Sequence, residues 1–189
     1  VASNPARAAS GGEADLALRI RPSLRLESDW SRHQLTASTS FDYQHFVRSE
    51  ELASLTGNLN AALRLDVRNG TRLDVTAGYT LSSTGAANSE VPDLATDNRV
   101  DHALAASAAI THDAGFGEGT IRLGIDRQMF GDVSLSGGGT EAYDDRDYTE
   151  LQFSTRGTFY PGAVVRPFVE ASFTPRVHDQ ARDRNNLKR

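Results

Sequence analysis

The sequence offers few groups able to make or break bonds. His33, His45, His102, His112 and His178 are scattered along the chain, with no His-x-x-x-His pair for zinc and no Gly-x-Ser-x-Gly elbow for a serine nucleophile. His102 falls at an apolar-face position near serines of a neighbouring loop, as a surface lipase would need, but a rim histidine is more often polar trim. The absence of cysteine excludes thiolate nucleophiles, thiolate metal sites and disulfides. Glu141, Asp144, Asp145 and Asp147 crowd carboxylates as a hard cation would require, yet their spacing is not that of an EF-hand, and they read as a solvated acidic loop. Ser136-Gly137-Gly138-Gly139 follows no strand-to-helix junction, so it reads as flexible loop and not as a phosphate cradle. No catalytic residue, metal ligand or cofactor is expected.

The charged chemistry is arginine against carboxylate. Lys188 is the only lysine, which favours planar, paired cations over freely solvated ones. Twenty Lys+Arg stand against 25 Asp+Glu, a net charge of -5, so there is no basic field to displace phosphate counterions and nucleic acid is not expected as a partner. With 38% hydrophobic residues and no run near the ~20 apolar residues of a membrane helix, the chain is not a helical membrane protein.

The elements that position these charges alternate with a period of two, the pattern of strands with two distinct faces. Leu16, Leu18, Ile20, Pro22, Leu24 and Leu26 alternate with Arg19, Arg21, Ser23, Arg25 and Glu27. The sorting recurs in Leu35, Ala37, Thr39, Phe41 and Tyr43, in Leu59, Ala61, Leu63, Leu65 and Val67, and in Leu73, Val75, Ala77, Tyr79 and Leu81. Asn69-Gly70 suits a two-residue type I′ hairpin turn. Val100 to Thr111 is alanine-rich and equally compatible with helix on local propensity. Context favours strand there, because Gly115 and Gly117 bracket a turn and Ile121, Leu123 and Ile125 resume the alternation. Thr149 to Phe159 and Val165 to Val177 complete the pattern, joined by a turn at Tyr160-Pro161-Gly162.

Connections alternate in length. Tight turns near Asp29, Asn69, Gly115 and Pro161 alternate with long loops at Val47 to Ser54, Ser82 to Asn98 and Gly131 to Arg146. That asymmetry is the plan of transmembrane β-barrels. The expected fold is all-β, an antiparallel up-and-down meander of about eight long strands, forming a transmembrane β-barrel or a fragment of a larger one. Residues 1–12 read as a flexible lead-in, 13–180 as strands and loops, and 181–189 as a truncated loop tail. Both ends would emerge on the loop side, so further strands are expected at each end, giving ten or more; a closed eight-stranded barrel is the alternative.

One face then meets lipid through Leu18, Ile20, Leu24, Leu63, Leu65, Val75, Leu123, Phe153, Val169 and Phe173, and no Asp, Glu, Lys or Arg is expected on it. Trp30, Tyr43, Tyr79, Phe159 and Tyr160 would mark the interfaces. The other face lines a lumen with Arg19, Arg21, Arg25, Asp42, Arg64, Asp66, Asp74, Arg122, Asp126, Glu150, Arg156, Arg166 and Glu170, together with Arg68, Arg176, Glu27 and Asp101. The signs nearly cancel, which reads as cross-strand ion pairs stiffening the wall with at most a weak local ion preference. A wet path and a plugged interior both fit. A soluble antiparallel sandwich also alternates in this way, but its strands are usually shorter.

The segment Arg166-Pro167-Phe168-Val169-Glu170-Ala171-Ser172-Phe173, followed by Asp179, Asp183, Arg184 and Arg189, resembles the β-barrel porin families of Gram-negative outer membranes, in particular the second type. In that pattern Asn186 stands where a glycine is expected, and asparagine tolerates a left-handed backbone. The resemblance implies an outer-membrane barrel, a passive pore for small solutes or one linked to envelope polysaccharide export, whose partners are outer-membrane lipid and lipopolysaccharide. A structural or adhesive barrel with no conducting lumen is the other functional reading.

Overall fold

The computed structural model describes residues 15–48, 53–68, 70–85, 91–92, 94–160 and 165–179. The lead-in, the tail 181–189 and the turn residues Asn69, Pro161 and Gly162 lie outside them. One antiparallel sheet carries the fold. Its segments are β1 (Ala17–Ile20), β2 (Ser23–Glu27), β3 (His33–Phe46), β4 (Ser54–Arg68), β5 (Thr71–Thr84), β6 (Arg99–Asp113), β7 (Gly117–Phe130), β10 (Tyr148–Phe159), β11 (Phe168–Phe173) and β12 (Arg176–His178). Neighbours in sequence are neighbours in the sheet, so the topology is a meander.

The two outer strands are each broken by proline without losing register. Ile20 pairs with Tyr43 and Ser23 with Ser40, so the pairing runs unshifted through Arg21-Pro22. The Pro22 carbonyl still accepts a hydrogen bond from Phe41 N at 3.0 Å, and only the bond that a proline nitrogen cannot donate is lost. Pro175 repeats this against Leu151, also at 3.0 Å. The ten segments are therefore eight strands. The alanine-rich stretch is strand β6, paired on both sides along almost its whole length, so ladder pairing overrides the local helical propensity.

Register sorts the side chains into two faces. One row across the sheet reads Leu35, Leu63, Val75, Ala108, Leu123, Phe153 and Phe173, and the adjacent row reads Gln34, Arg64, Asp74, Ala109, Arg122, Ser154 and Ser172. No second layer covers the apolar face among the described residues. Leu24 is 69% exposed, Val169 70% and Phe173 66%, which is the opposite of a sandwich core. The larger cavities open on the polar face, so the sheet is concave toward its charges.

Buried apolar packing is instead concentrated under the long loops, where Val91, Val133 and Tyr143 cluster with Ala95 and Phe130. The stretch expected to be a featureless glycine-rich loop is a small hairpin, β8 (Val133–Ser134) against β9 (Thr140–Glu141), followed by a 3-10 turn at Asp144–Arg146. Gly138 and Gly139 turn it with φ of 80° and 106°, a backbone that only glycine adopts cheaply. Ser134 N and Oγ donate to Asp97, and Ser136 N donates to the Leu94 carbonyl, so the second and third long loops are bonded to each other.

The tight turn at Gly70 has φ of 74°, and a Cβ added there would lie 2.8 Å from the Asp113 carbonyl oxygen. Gly115 has φ of 83° with open space around it. Gly70→Ala is therefore expected to cost about 2 kcal/mol and Gly115→Ala about 1 kcal/mol. Urea unfolding of the protein in detergent micelles measures both, and equal losses would refute the close approach at Gly70.

Candidate functional site

The sheet gathers the sequence-predicted polar set onto one face. Asp42 is the hub of the first hairpin: Arg19 grips it through two nitrogens, and Arg21 Nε donates to it at 3.0 Å. Arg176 Nη2 meets Glu150 at 2.8 Å, and Arg156 meets Glu170 at 3.7 Å, both across strands. Asp126 accepts from Gln152 Nε2. The remaining pairs correct the expectation of cross-strand stitching. Arg25–Glu27, Arg64–Asp66 and Arg72–Asp74 each join residues two apart on one strand. Side chains at i and i+2 share a face, so these pairs brace single strands and do not clamp neighbours together.

The middle of the polar face is built mostly from short side chains, with Ser38, Asn60, Thr76, Gly78, Ala105 and Ser107 lining a cavity of about 470 Å³ that Arg25 and Asp126 also reach. Short side chains leave room that arginines would fill.

Three residues break the sequence-derived assignment. Asp101 keeps polar-face parity but is 5% exposed, because Arg99, 2% exposed, grips it at 2.8 Å beneath the third loop. The Arg99 guanidinium is sandwiched between the Phe130 and Tyr143 rings, 5.4 and 5.0 Å from their centroids. Gly131 N also donates to Asp101, at 3.3 Å, tying the loop's first residue to the pair. Tyr160, expected at the lipid interface, lies on the polar face and carries Arg166 over its ring at 5.0 Å. Arg68 leaves the polar row because a bulge between Asp66 and Arg68 pairs it with Thr71.

The apolar face is not wholly free of charge. Arg127 pairs with Leu104 and Thr149, on the apolar side, three residues from the loop end of β7. It donates to Asp179 Oδ1 at 2.6 Å, to Thr149 at 3.1 Å and to Asp147 at 3.4 Å. Nearby on this face the Tyr79 hydroxyl bonds His102 Nδ1 at 2.8 Å. That contact, with Leu81 and Met129 as cross-strand neighbours, gives His102 a phenol partner and not a serine. Tyr43 stacks on His45 with ring centroids 6.4 Å apart. Trp30 and Phe159 are half exposed near the tight-turn end. Among the described residues no group of histidines and carboxylates has metal-binding geometry. Asp147 of the acidic loop is already committed, accepting from Phe130 N at 2.8 Å.

The profile described as "Putative beta-barrel porin 2" matches residues 1–189. The chain belongs to this family. No curated protein and no solved structure matches it significantly. Membership in the porin family agrees with the all-β antiparallel meander and points to a membrane location. Among the described residues no helix is long and apolar enough to cross a membrane, which does not bear on crossing by strands. In this porin-family chain the sheet is open: β1–β2 and β11–β12 are its two edges.

Two predictions follow from the loop-end contacts. Arg99→Met leaves Asp101 buried without its cation and is expected to cost about 3–5 kcal/mol, whereas the double variant with Asp101→Leu recovers most of it. Hydrogen exchange of residues 131–143 reads the loss, and equal exchange in wild type and Arg99→Met would refute the anchoring role. The Asp179 carboxyl is held below its ordinary value of 3.8 by the Arg127 hydrogen bond and charge. A depressed carboxylate stabilises the fold above the ordinary value and ceases to do so as pH falls through the lowered one. The Arg127–Asp179 contact is thus expected to persist at pH 4 and open only in stronger acid, as followed by the Asp179 carboxyl resonance; titration at the ordinary value would refute it.

Proposed function

We propose that this chain forms wall of an outer-membrane β-barrel pore in a Gram-negative bacterium, with its apolar face against acyl chains and its polar face toward water. One observation carries the reading: a single-layer sheet whose convex face is exposed and apolar except near its loop end, while its concave face is charged. A soluble protein rarely leaves so large an apolar surface uncovered. The strands have the right reach. Twelve residues, as in β10, extend roughly 40 Å at about 3.4 Å per residue, and tilted by about 40° they cover roughly 30 Å, enough for an apolar band of about 25 Å.

On this reading Leu18, Ile20, Leu24, Leu63, Leu65, Val75, Leu123, Phe153, Val169 and Phe173 contact lipid. The Arg127 cluster, the Tyr79–His102 pair and Tyr43 then sit at the loop-side headgroup level, where a charge costs about 0–1 kcal/mol instead of the 2–4 kcal/mol of the midplane. Lipid and lipopolysaccharide are the partners of the convex face. Small polar solutes are the traffic of the concave one; envelope polysaccharide rests on the family resemblance alone. Nothing in this reading asks for catalysis.

The loop cap anchored by Arg99 favours a second reading, a barrel closed over its lumen that serves a structural or adhesive role. Single-channel recording of the full-length protein in planar bilayers separates the two. Discrete conductance steps are the expected result, and a silent bilayer at both polarities, with insertion verified, would refute the pore.

A further inference from the structure

Arg122 is unlike the arginines around it. Arg64, Arg72 and Arg156 each hold a carboxylate, whereas Arg122 has no hydrogen-bond or ion-pair partner among the described residues. The cause is its place in the register. Its cross-strand neighbours are Ala109 and Ser154, neither of them charged. The nearest carboxylate in its row, Asp74, lies beyond Ala109, about 10 Å away at ~4.8 Å per strand, and is held by Arg72 Nε at 2.7 Å. Glu118 is four residues back on the same strand, roughly 13 Å away. The closest charge is instead another cation: Arg156 sits diagonally across β7 and β10 from Arg122, within about 8 Å by strand geometry.

Arg156 meets Glu170 at 3.7 Å and lies over the Phe168 ring at 4.0 Å from its centroid, and Arg166 lies over the Tyr160 ring, so both keep N–H edges beyond their ring contacts. These three arginines line one cavity of about 570 Å³ at the tight-turn end of the polar face, together with Arg72, the carboxylates of Asp74, Glu118 and Glu170, and the Ser154 and Thr158 side chains. Each guanidinium is a planar fork of donors matched to two oxygens of a carboxylate or phosphate. An anion placed between Arg122 and Arg156 relieves their mutual repulsion and breaks no internal ion pair at Arg122.

We infer that Arg122 and Arg156, with Ser154 between them and Arg166 at the margin, form a docking site for an oxyanion, the carboxylate or phosphate group of a polar solute. The inference rests on the pore reading for the solute's route to the site, but binding itself is measurable without conduction. The test uses the full-length protein in detergent micelles, with inorganic phosphate and sodium acetate as separate probes and chloride as the background salt, read by equilibrium dialysis. Arg122 is exposed and unpaired, so Arg122→Gln is expected to keep the strand signal in circular dichroism while weakening oxyanion binding about tenfold. Arg122→Lys keeps the charge without the fork, and a loss smaller than that of Arg122→Gln is expected. Preference for phosphate over acetate, or the reverse, assigns the source of the oxyanion. No binding to the wild type, or equal binding to wild type and Arg122→Gln, would overturn the site. In bilayers, a conducting pore whose anion preference ignores Arg122→Gln would overturn the site alone; binding without any conduction would keep the site and overturn the pore.

Discussion

Unbroken register across the sheet is the constraint on which everything else in this molecule depends. A strand that slips by one residue exchanges its faces completely. Here the pairing runs from the first strand to the last with one bulge, between Asp66 and Arg68, beside a tight turn. That continuity keeps leucines in one set of rows and arginines in the next. The ion pairs do little to enforce it, since several lie within single strands and all but Arg99–Asp101 are partly open to water, where such pairs are worth little. The backbone ladder and the tight turns set the register, and the charges occupy the face they are given.

The two ends of the sheet are built differently. At the tight-turn end the chain reverses in a few residues and leaves the charged cavity open. At the loop end, residues 94–97 and 134–136 bond to one another, and the Phe130 and Tyr143 rings cover the buried Arg99 guanidinium. Burying Arg99 and Asp101 is tolerable because each satisfies the other and the rings shield the cation. Order in the loops therefore comes from a polar anchor on the sheet and not from loop composition, which is rich in glycine, serine and aspartate.

Period-two sorting made the strands, their faces and the alternation of short and long connections legible in the sequence, and even the alanine-rich β6 followed once its neighbours were placed. The details that escaped reading depend on contacts between distant segments or on local irregularities beside the turns. Arg127 continues the parity of Ile121, Leu123 and Ile125, so the alternation already places it on the apolar side, but the carboxylates that meet it there, Asp147 and Asp179, come from separate segments. Arg99 gives no local sign of burial, because the rings that enclose it come from residues 130 and 143. The bulge that displaces Arg68 has no residue signature beyond its nearness to a turn. Tyr160 lies one residue past Phe159, and that single step decides its face.

The prolines of the outer strands have one more consequence. Pro22, Pro167 and Pro175 all direct their carbonyls inward, to Phe41, Phe159 and Leu151, so the hydrogen that each lacks is missing from an interior rung. Natural sheets commonly blunt an exposed border by turning such a defect outward. Here both borders present an uninterrupted series of donors and acceptors, and no described residue is paired to them. They are seams and not hems: left bare in water they would recruit any passing extended chain, and they are chemically complete for joining strand to strand.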